Sequence, residues 1–189
     1  MSTEKTKRVF ILLSSTGTVT ARAIRKLKGA GHSHASLAIE PSVDKFYSFG
    51  RRKISNPFIA GFVIESIHTG IFGKYPESKS ALYSLEVTEE AYQAISDTIN
   101  NFIDNYESSK YSFIGMFTLG FGIKTKLKKR FTCSQFVANT LKEANALSLP
   151  KDPSLMLPKD FSGISELRLI YEGSLKNCNY NKLYQNATI

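Results

Sequence analysis

Cysteine and histidine are scarce in this chain of 189 residues, which has two of the first and three of the second. Two cysteines do not make the disulfide framework of a small secreted domain, which fits a reducing compartment. No window approaches the roughly 18 consecutive apolar residues of a membrane span. The apolar run near the start, Val9 to Leu13, is too brief for a signal-peptide core, and no small-residue cleavage site follows it. The expectation is a cytoplasmic protein whose first strand is Arg8–Ser14. Acidic residues are also short, 16 against 25 Lys and Arg, for a formal charge of +9. Such a field attracts nucleic acid, anionic membrane and acidic substrates alike, so charge by itself selects no partner. There is no internal repeat and no low-complexity tract.

Core material, by contrast, is ample: 42% hydrophobic residues, with 13 Phe and 9 Tyr. The length predicts one domain over residues 1–189, with 1–7 and 177–189 as flexible ends. After the first strand, Ala21–Lys28 has helix formers and stops at Gly29. Ser33–Glu40 alternates and closes at Pro41 as a strand, and Phe46–Phe49 returns as its partner. Arg51–Ser80, punctuated by Gly and Pro, reads as a long irregular segment able to cover a site. Ala81–Val87 is another strand. Thr88 then caps a helix whose first turn holds Glu89 and Glu90 at the positive end of its dipole. Tyr92, Ile95, Ile99, Phe102, Ile103 and Tyr106 form its apolar face. Tyr111–Ile123 is apolar but broken by glycine, and reads first as core. Leu149–Phe161 carries three prolines and is expected to be extended, with a last strand at Leu167–Tyr171.

The stretch RFTCSQFVANTL places one cysteine in an informative position. Thr132 and Gln135 have the spacing of a capping box, and Phe136, Val137, Thr140, Leu141 and Ala144 continue with helical period, predicting a helix over Cys133–Ala146. Cys133 then stands at the first helical position. Unpaired backbone N–H groups and the helix dipole there stabilise a thiolate, which is the nucleophilic form. A small buried hydrophobe is the ordinary role of a free cysteine, and Cys178, in KNCNYN, has neither helix start nor partner. A cysteine nucleophile needs a base. His34 opens an alternating strand among small neighbours, Ala35, Ser36 and Ala38, which leave room around its ring. His32 precedes the strand, and His68 lies in the irregular segment.

Taken together, FILLSSTGTVTARAIR, SHASLAIE, FYSFGRR and FTCSQFVA resemble the circularly permuted papain-fold cysteine hydrolases, related to the NlpC-type peptidases and the lecithin retinol acyltransferase-like enzymes. Histidine precedes cysteine in the permuted branch, as His34 precedes Cys133. The resemblance spans about Val9 to Tyr171. It implies an α+β fold of the permuted papain-like (NlpC-like) kind, an antiparallel sheet packed against helices with the nucleophile at a helix N-terminus. It further implies Cys133 as nucleophile, His34 as base, and a third polar residue on the adjoining strand to orient the ring. That position falls near Ser48, where relatives often carry a carboxylate, histidine or amide; serine adds no charge to stabilise imidazolium. Glu40 and Glu65 are the alternatives. Six residues separate Glu40 from His34, nearly 20 Å at about 3.3 Å each, which excludes direct contact, and Ser48 ranks first. Tyr111 and Ser134 are candidate pocket residues.

The chemistry implied is acyl transfer through a Cys133 thioester, cleaving a peptide, an amide or a lipid acyl substrate without cofactor or metal. Lys124, Lys126, Lys128, Lys129 and Arg130 would suit an anionic membrane surface. A non-catalytic basic module binding nucleic acid or membrane is the competing class; nucleic acid is disfavoured because the aromatics follow core periodicity instead of interleaving with the basic cluster. A metal site of His32, His34 and Cys133 lacks the spacing of a zinc signature.

Overall fold

A computed structural model describes residues 6–15, 31–39, 45–53, 55–112 and 130–179, with backbone alone at 57 and 58. The chain is an α+β protein built on one mixed sheet. Its strands are β1 (Thr6–Ser15), β2 (His34–Ala38), β3 (Phe46–Lys53), β4 (Asn56–Glu65), β5 (Lys79–Thr88), β6 (Lys110–Tyr111), β7 (Arg130–Phe131) and β8 (Arg168–Ser174). They lie in the order β7-β6-β4-β3-β2-β1-β5-β8. The α-helices among the described residues are α1 (Gly70–Lys74), α2 (Glu89–Asp104) and α3 (Cys133–Glu143).

Position in the sheet follows from sequence. Val9, Phe10, Ile11, Leu12 and Leu13 are all buried, so β1 is covered on both faces, as an unbroken apolar run requires. Strands β2 and β5 flank it, Ser14 facing His34 on one side and Ser80 on the other. The sheet is not antiparallel throughout, as the resemblance implied: β6 and β7 run parallel, Tyr111 beside Phe131. A parallel neighbour needs a crossover of a dozen or more residues, and residues 112–129 supply that length.

Two apolar layers result. Val9, Ile11 and Leu13 face α2 and α3, whereas Phe10 and Leu12 face Phe46, Phe72 and Leu175. Helix α2 starts as expected, Thr88 Oγ1 accepting the Ala91 N–H at 3.2 Å, and buries Ile95 and Ile99; Ile103, expected on the same face, is exposed. Phe49, Phe62, Phe102, Phe131 and Phe136 meet edge-on or tilted, with Phe49 and Phe136 centroids 5.5 Å apart, except that Phe62 and Phe102 stack at 5.4 Å. Such pairs add about 0.5–1.5 kcal/mol each beyond burial. Here they fix the first turn of α3 against β3. The helix ends in a Schellman arrangement: Asn145 takes φ 52°, its N–H bonds Lys142 O at 3.0 Å, and the Ala146 N–H bonds Leu141 O at 2.9 Å.

The irregular segment expected at Arg51–Ser80 is largely ordered secondary structure. Strand β3 runs on to Lys53 and pairs with β4 across a bulge between Arg51 and Lys53. Bulge and glycine punctuation hid the alternation that would have marked a hairpin. Arg52, in the basic run Arg51-Arg52-Lys53, is a clamp. Its guanidinium donates to the carbonyls of Tyr106, of Ser109 at 2.9 Å and of Phe62 at 3.3 Å, and lies 4.0 Å from the Tyr106 ring centre. Gly61 makes that clamp possible, because a Cβ there would sit 2.2 Å from Ser109 O and 2.8 Å from Arg52 Nη2.

Thr6 and Lys7, expected in a flexible end, already belong to β1 opposite Thr88 and Val87. Cys178 is buried in the second apolar layer. The expected helix Ala21–Lys28 lies outside the described residues. No helix among the described residues is long and apolar enough to cross a membrane.

Candidate active site

Thr132 is the N-cap of α3, extended at φ −84° and ψ 166°, and its side chain accepts the Gln135 N–H at 3.3 Å. Cys133 therefore stands at the first helical position, with 6% of its surface exposed. Where α3 meets the sheet, β2 and β3 are paired at Leu37 and Tyr47. Toward His34 the peptide of Ala35 finds other partners. Its carbonyl accepts the Ser48 hydroxyl at 2.6 Å, and its N–H donates to the Cys133 sulfur, as does the N–H of Ser134. Sulfur and hydroxyl occupy the places of ladder partners on the β3 side of β2, which ties the helix tip to the sheet.

His34, first residue of β2, turns Nε2 to Glu65, 3.0 Å from Oε1 and 2.9 Å from Oε2. The ring is also hydrogen-bonded to Cys133. With Nε2 given to the carboxylate, the nitrogen left for sulfur is Nδ1. Ser36, fully buried two residues along β2, donates to Glu65 Oε2 at 2.6 Å. The side chains of His34 and Glu65 remain 18% and 16% exposed. Phe72 of α1 packs beside the imidazole, centroids 6.3 Å apart. Gly50 lies against the pair, since a Cβ there would stand 3.6 Å from His34 Cε1 and 3.7 Å from Glu65 Oε1.

Charge in this cluster is decided by opposed effects. Burial disfavours imidazolium at His34, but the negative Glu65 beside it, followed by the hydrogen bonds to Cys133 and Glu65, raises the ring well above the ordinary histidine range. Burial likewise pushes the Cys133 thiol up. The hydrogen bond and charge of His34 and the N–H groups of Ala35 and Ser134 outweigh it, and the thiol ends below its ordinary value. Both shifts favour one state, thiolate beside imidazolium. A thiolate so placed is a nucleophile, and the imidazolium beside it is an acid for a leaving group.

The other candidates from sequence fall as follows. Ser48, ranked first to orient the ring, gives its hydroxyl to Ala35 O; the ring is oriented by Glu65 from the end of β4. Spacing along one strand could not reveal this, because Glu65 arrives from another. Glu40 lies outside the described residues. Ser134 directs its hydroxyl away from the sulfur to Met156 O at 2.6 Å and contributes its backbone N–H instead. Burial, and then the Cys133 charge, raises the Tyr111 phenol far above its usual range, so it stays a neutral hydroxyl. His32 sits apart, near Glu172, and is lowered by burial against that carboxylate's opposing charge. No three potential metal ligands cluster among the described residues. Arg130 is exposed on β7; Lys124, Lys126, Lys128 and Lys129 lie outside the described residues.

Sequence reasoning took Ser36 only as a small neighbour of His34 and gave it no role in the site. Its parity with His34 was the available signal, since both project from the same face of β2. No protein-family model and no curated protein matches this chain.

Proposed function

We propose that the chain is a cysteine-dependent acyl-transfer enzyme, a hydrolase or transferase acting on an amide or ester through a Cys133 thioester, with a permuted papain-like arrangement. The observation that carries this reading is the continuous chain from Glu65 through His34 to a sulfur seated on the first turn of a helix. The order of His34 before Cys133 and the motif resemblance support it.

The Cys133 thiolate attacks the substrate carbonyl carbon, forming the S–C bond and a tetrahedral oxyanion. Backbone N–H groups at the start of α3, and the Tyr111 hydroxyl kept neutral by its burial, supply donors to that oxygen. Each such donor is typically worth a few kcal/mol in the transition state. Collapse of the oxyanion expels the amine or alcohol, which takes its proton from the His34 imidazolium. Neutral His34 then takes a proton from water, or from a second nucleophile, as it attacks the thioester and releases the acyl group. Glu65 holds the ring throughout, and Ser36 holds Glu65.

The test is trapping of the acyl-enzyme. Brief exposure to p-nitrophenyl acetate followed by acid quench and peptide mass spectrometry should find an acetyl group on Cys133 that hydroxylamine removes. The Cys133→Ala protein should show no thioester. Acetylation confined to lysines in the unaltered protein would overturn the proposal.

A further inference from the structure

The sheet edge that leads into the nucleophile holds a pair of charges that the fold does not neutralise. Lys110 of β6 and Arg130 of β7 are direct partners in the parallel ladder, so their side chains leave the same face one strand spacing apart, about 4.8 Å. Both are exposed, and neither is paired with a carboxylate among the described residues. Like charges set side by side repel, and an anion held between them removes that cost. The nearest acids are engaged elsewhere. Glu65 is given to His34 and Ser36, and Glu107, 91% exposed, stands 3.7 Å from Arg52.

Two lines of connection place this pair beside the catalytic cluster. Along the chain, Arg130 leads through Phe131 and the extended Thr132 to Cys133, a reach of about 10 Å at the most. Lys110 is followed by Tyr111, whose phenol feels the Cys133 charge. Across the sheet, Arg130 pairs with Lys110, Lys110 with Gly61, and Gly61 with Gly50, a single row on one face. Gly50 brings the row against the site, a Cβ there standing 3.6 Å from His34 Cε1 and 3.7 Å from Glu65 Oε1. Over Gly61 the row is filled by Ser109 O and by a third cation, the Arg52 guanidinium.

The mechanism says which half of the substrate meets these cations. With Nε2 held by Glu65, the proton for the leaving group sits on Nδ1, between the ring and the sulfur, and β2 lies behind it. The leaving group therefore occupies the β2 side of the sulfur, which leaves the approach from β7 to the acyl half. We propose that Lys110 and Arg130 form a carboxylate-binding subsite for the acyl half of the substrate, so that the group transferred to Cys133 carries an acid at its far end. The inference rests on the acyl-transfer reading above and names its acyl donor. In the step concerned the S–C bond forms, the C–N or C–O bond breaks, and the Nδ1 proton passes to the departing atom. The distal carboxylate changes no bonds. The guanidinium fork of Arg130 suits both of its oxygens, and the Lys110 ammonium adds a point charge. An adipoyl chain sets its far carboxylate roughly 6 Å from the reacting carbonyl, and the two long side chains cover the remaining distance.

The test compares p-nitrophenyl hydrogen adipate with its methyl ester, the neutral counterpart, as donors to Cys133. Release of p-nitrophenolate gives kcat/KM, and peptide mass spectrometry locates the acyl group. The acid should be preferred by about threefold to tenfold, and the preference should shrink as salt is added. The Lys110→Glu, Arg130→Glu double variant should reverse it; taking the ratio of the two donors cancels any change in the thiolate itself. A Lys79→Glu, Lys142→Glu variant makes the same change in net charge at other exposed positions and should keep the preference. Equal use of the two donors by the unaltered protein overturns this proposal alone, as does a preference that both double variants lose alike. Absence of an acyl group on Cys133 from either donor overturns the acyl-transfer reading and this proposal with it.

Discussion

Glu65 holds His34 with both carboxylate oxygens, Nε2 lying 3.0 Å from Oε1 and 2.9 Å from Oε2, although thirty-one residues and two intervening strand connections separate them. The contact leaves Nδ1 for the sulfur and supplies the negative charge that raises the imidazole against its burial. A carboxylate does both things; an amide would do only the first.

Replacing Glu65 by Gln therefore has a signed consequence. A raised histidine keeps its proton up to a higher pH, so the alkaline limb of kcat/KM reports loss of the imidazolium. Without the Glu65 charge the His34 pKa falls, and the alkaline limb of the Glu65→Gln profile should move to lower pH, with activity reduced by about tenfold to a hundredfold at the optimum. A profile that keeps its alkaline limb in place would show that Glu65 does not govern the ring.

Ser36→Ala removes the 2.6 Å bond to Glu65 Oε2 and leaves the carboxylate less well fixed. The expected outcome is a fall in kcat of a few fold with KM unchanged, corresponding to about 1 kcal/mol for a lost hydrogen bond. Ser36→Thr, which retains the hydroxyl, should restore most of the loss.

Ser48 should behave differently from an orienting residue. Ser48→Ala strands the buried Ala35 carbonyl and should cost about 1–3 kcal/mol in urea unfolding. The pH profile of Cys133 alkylation should keep its midpoint, because neither His34 nor Glu65 loses a partner.

Arg52 offers a test of the scaffold. Lysine keeps its charge but loses the fork that serves three carbonyls, so Arg52→Lys should destabilise by about 2–3 kcal/mol, close to the effect of Arg52→Ala. Gly61→Ala should be more damaging than Gly50→Ala. The first puts a methyl 2.2 Å from a backbone oxygen, while the second makes ordinary contacts of 3.5–3.7 Å.

The parts of the fold legible in the sequence were those governed by local rules. Thr88 and Thr132 marked their helix starts through cap chemistry, and the Val9–Leu13 run marked a strand covered on both sides. Cys133 was legible for the same reason, since its place depends on the four residues around it. What escaped depends on tertiary closure. The β4 strand was hidden by Gly61, whose missing side chain matters only because Ser109 and Arg52 pass over it. The choice between Ser48 and Glu65 turned on which strand end curls toward His34, and no spacing within β2 or β3 encodes that. Nothing local to Arg52 signals its role, which exists only because the fold places the carbonyls of Tyr106 and Ser109 beside it.

The central claim is a Cys133 thiolate held by protonated His34, and iodoacetamide alkylation followed across pH by peptide mass spectrometry tests it most directly. Cys178, buried in the second apolar layer, serves as the internal comparison. An ordinary thiol titrates near about 8.5. The Cys133 rate should rise with a midpoint clearly below that value, and His34→Ala should move the midpoint upward, because the hydrogen bond and charge of His34 are the first effects that outweigh burial of the sulfur. A Cys133 midpoint at or above the ordinary value, unmoved by loss of His34, would contradict the account.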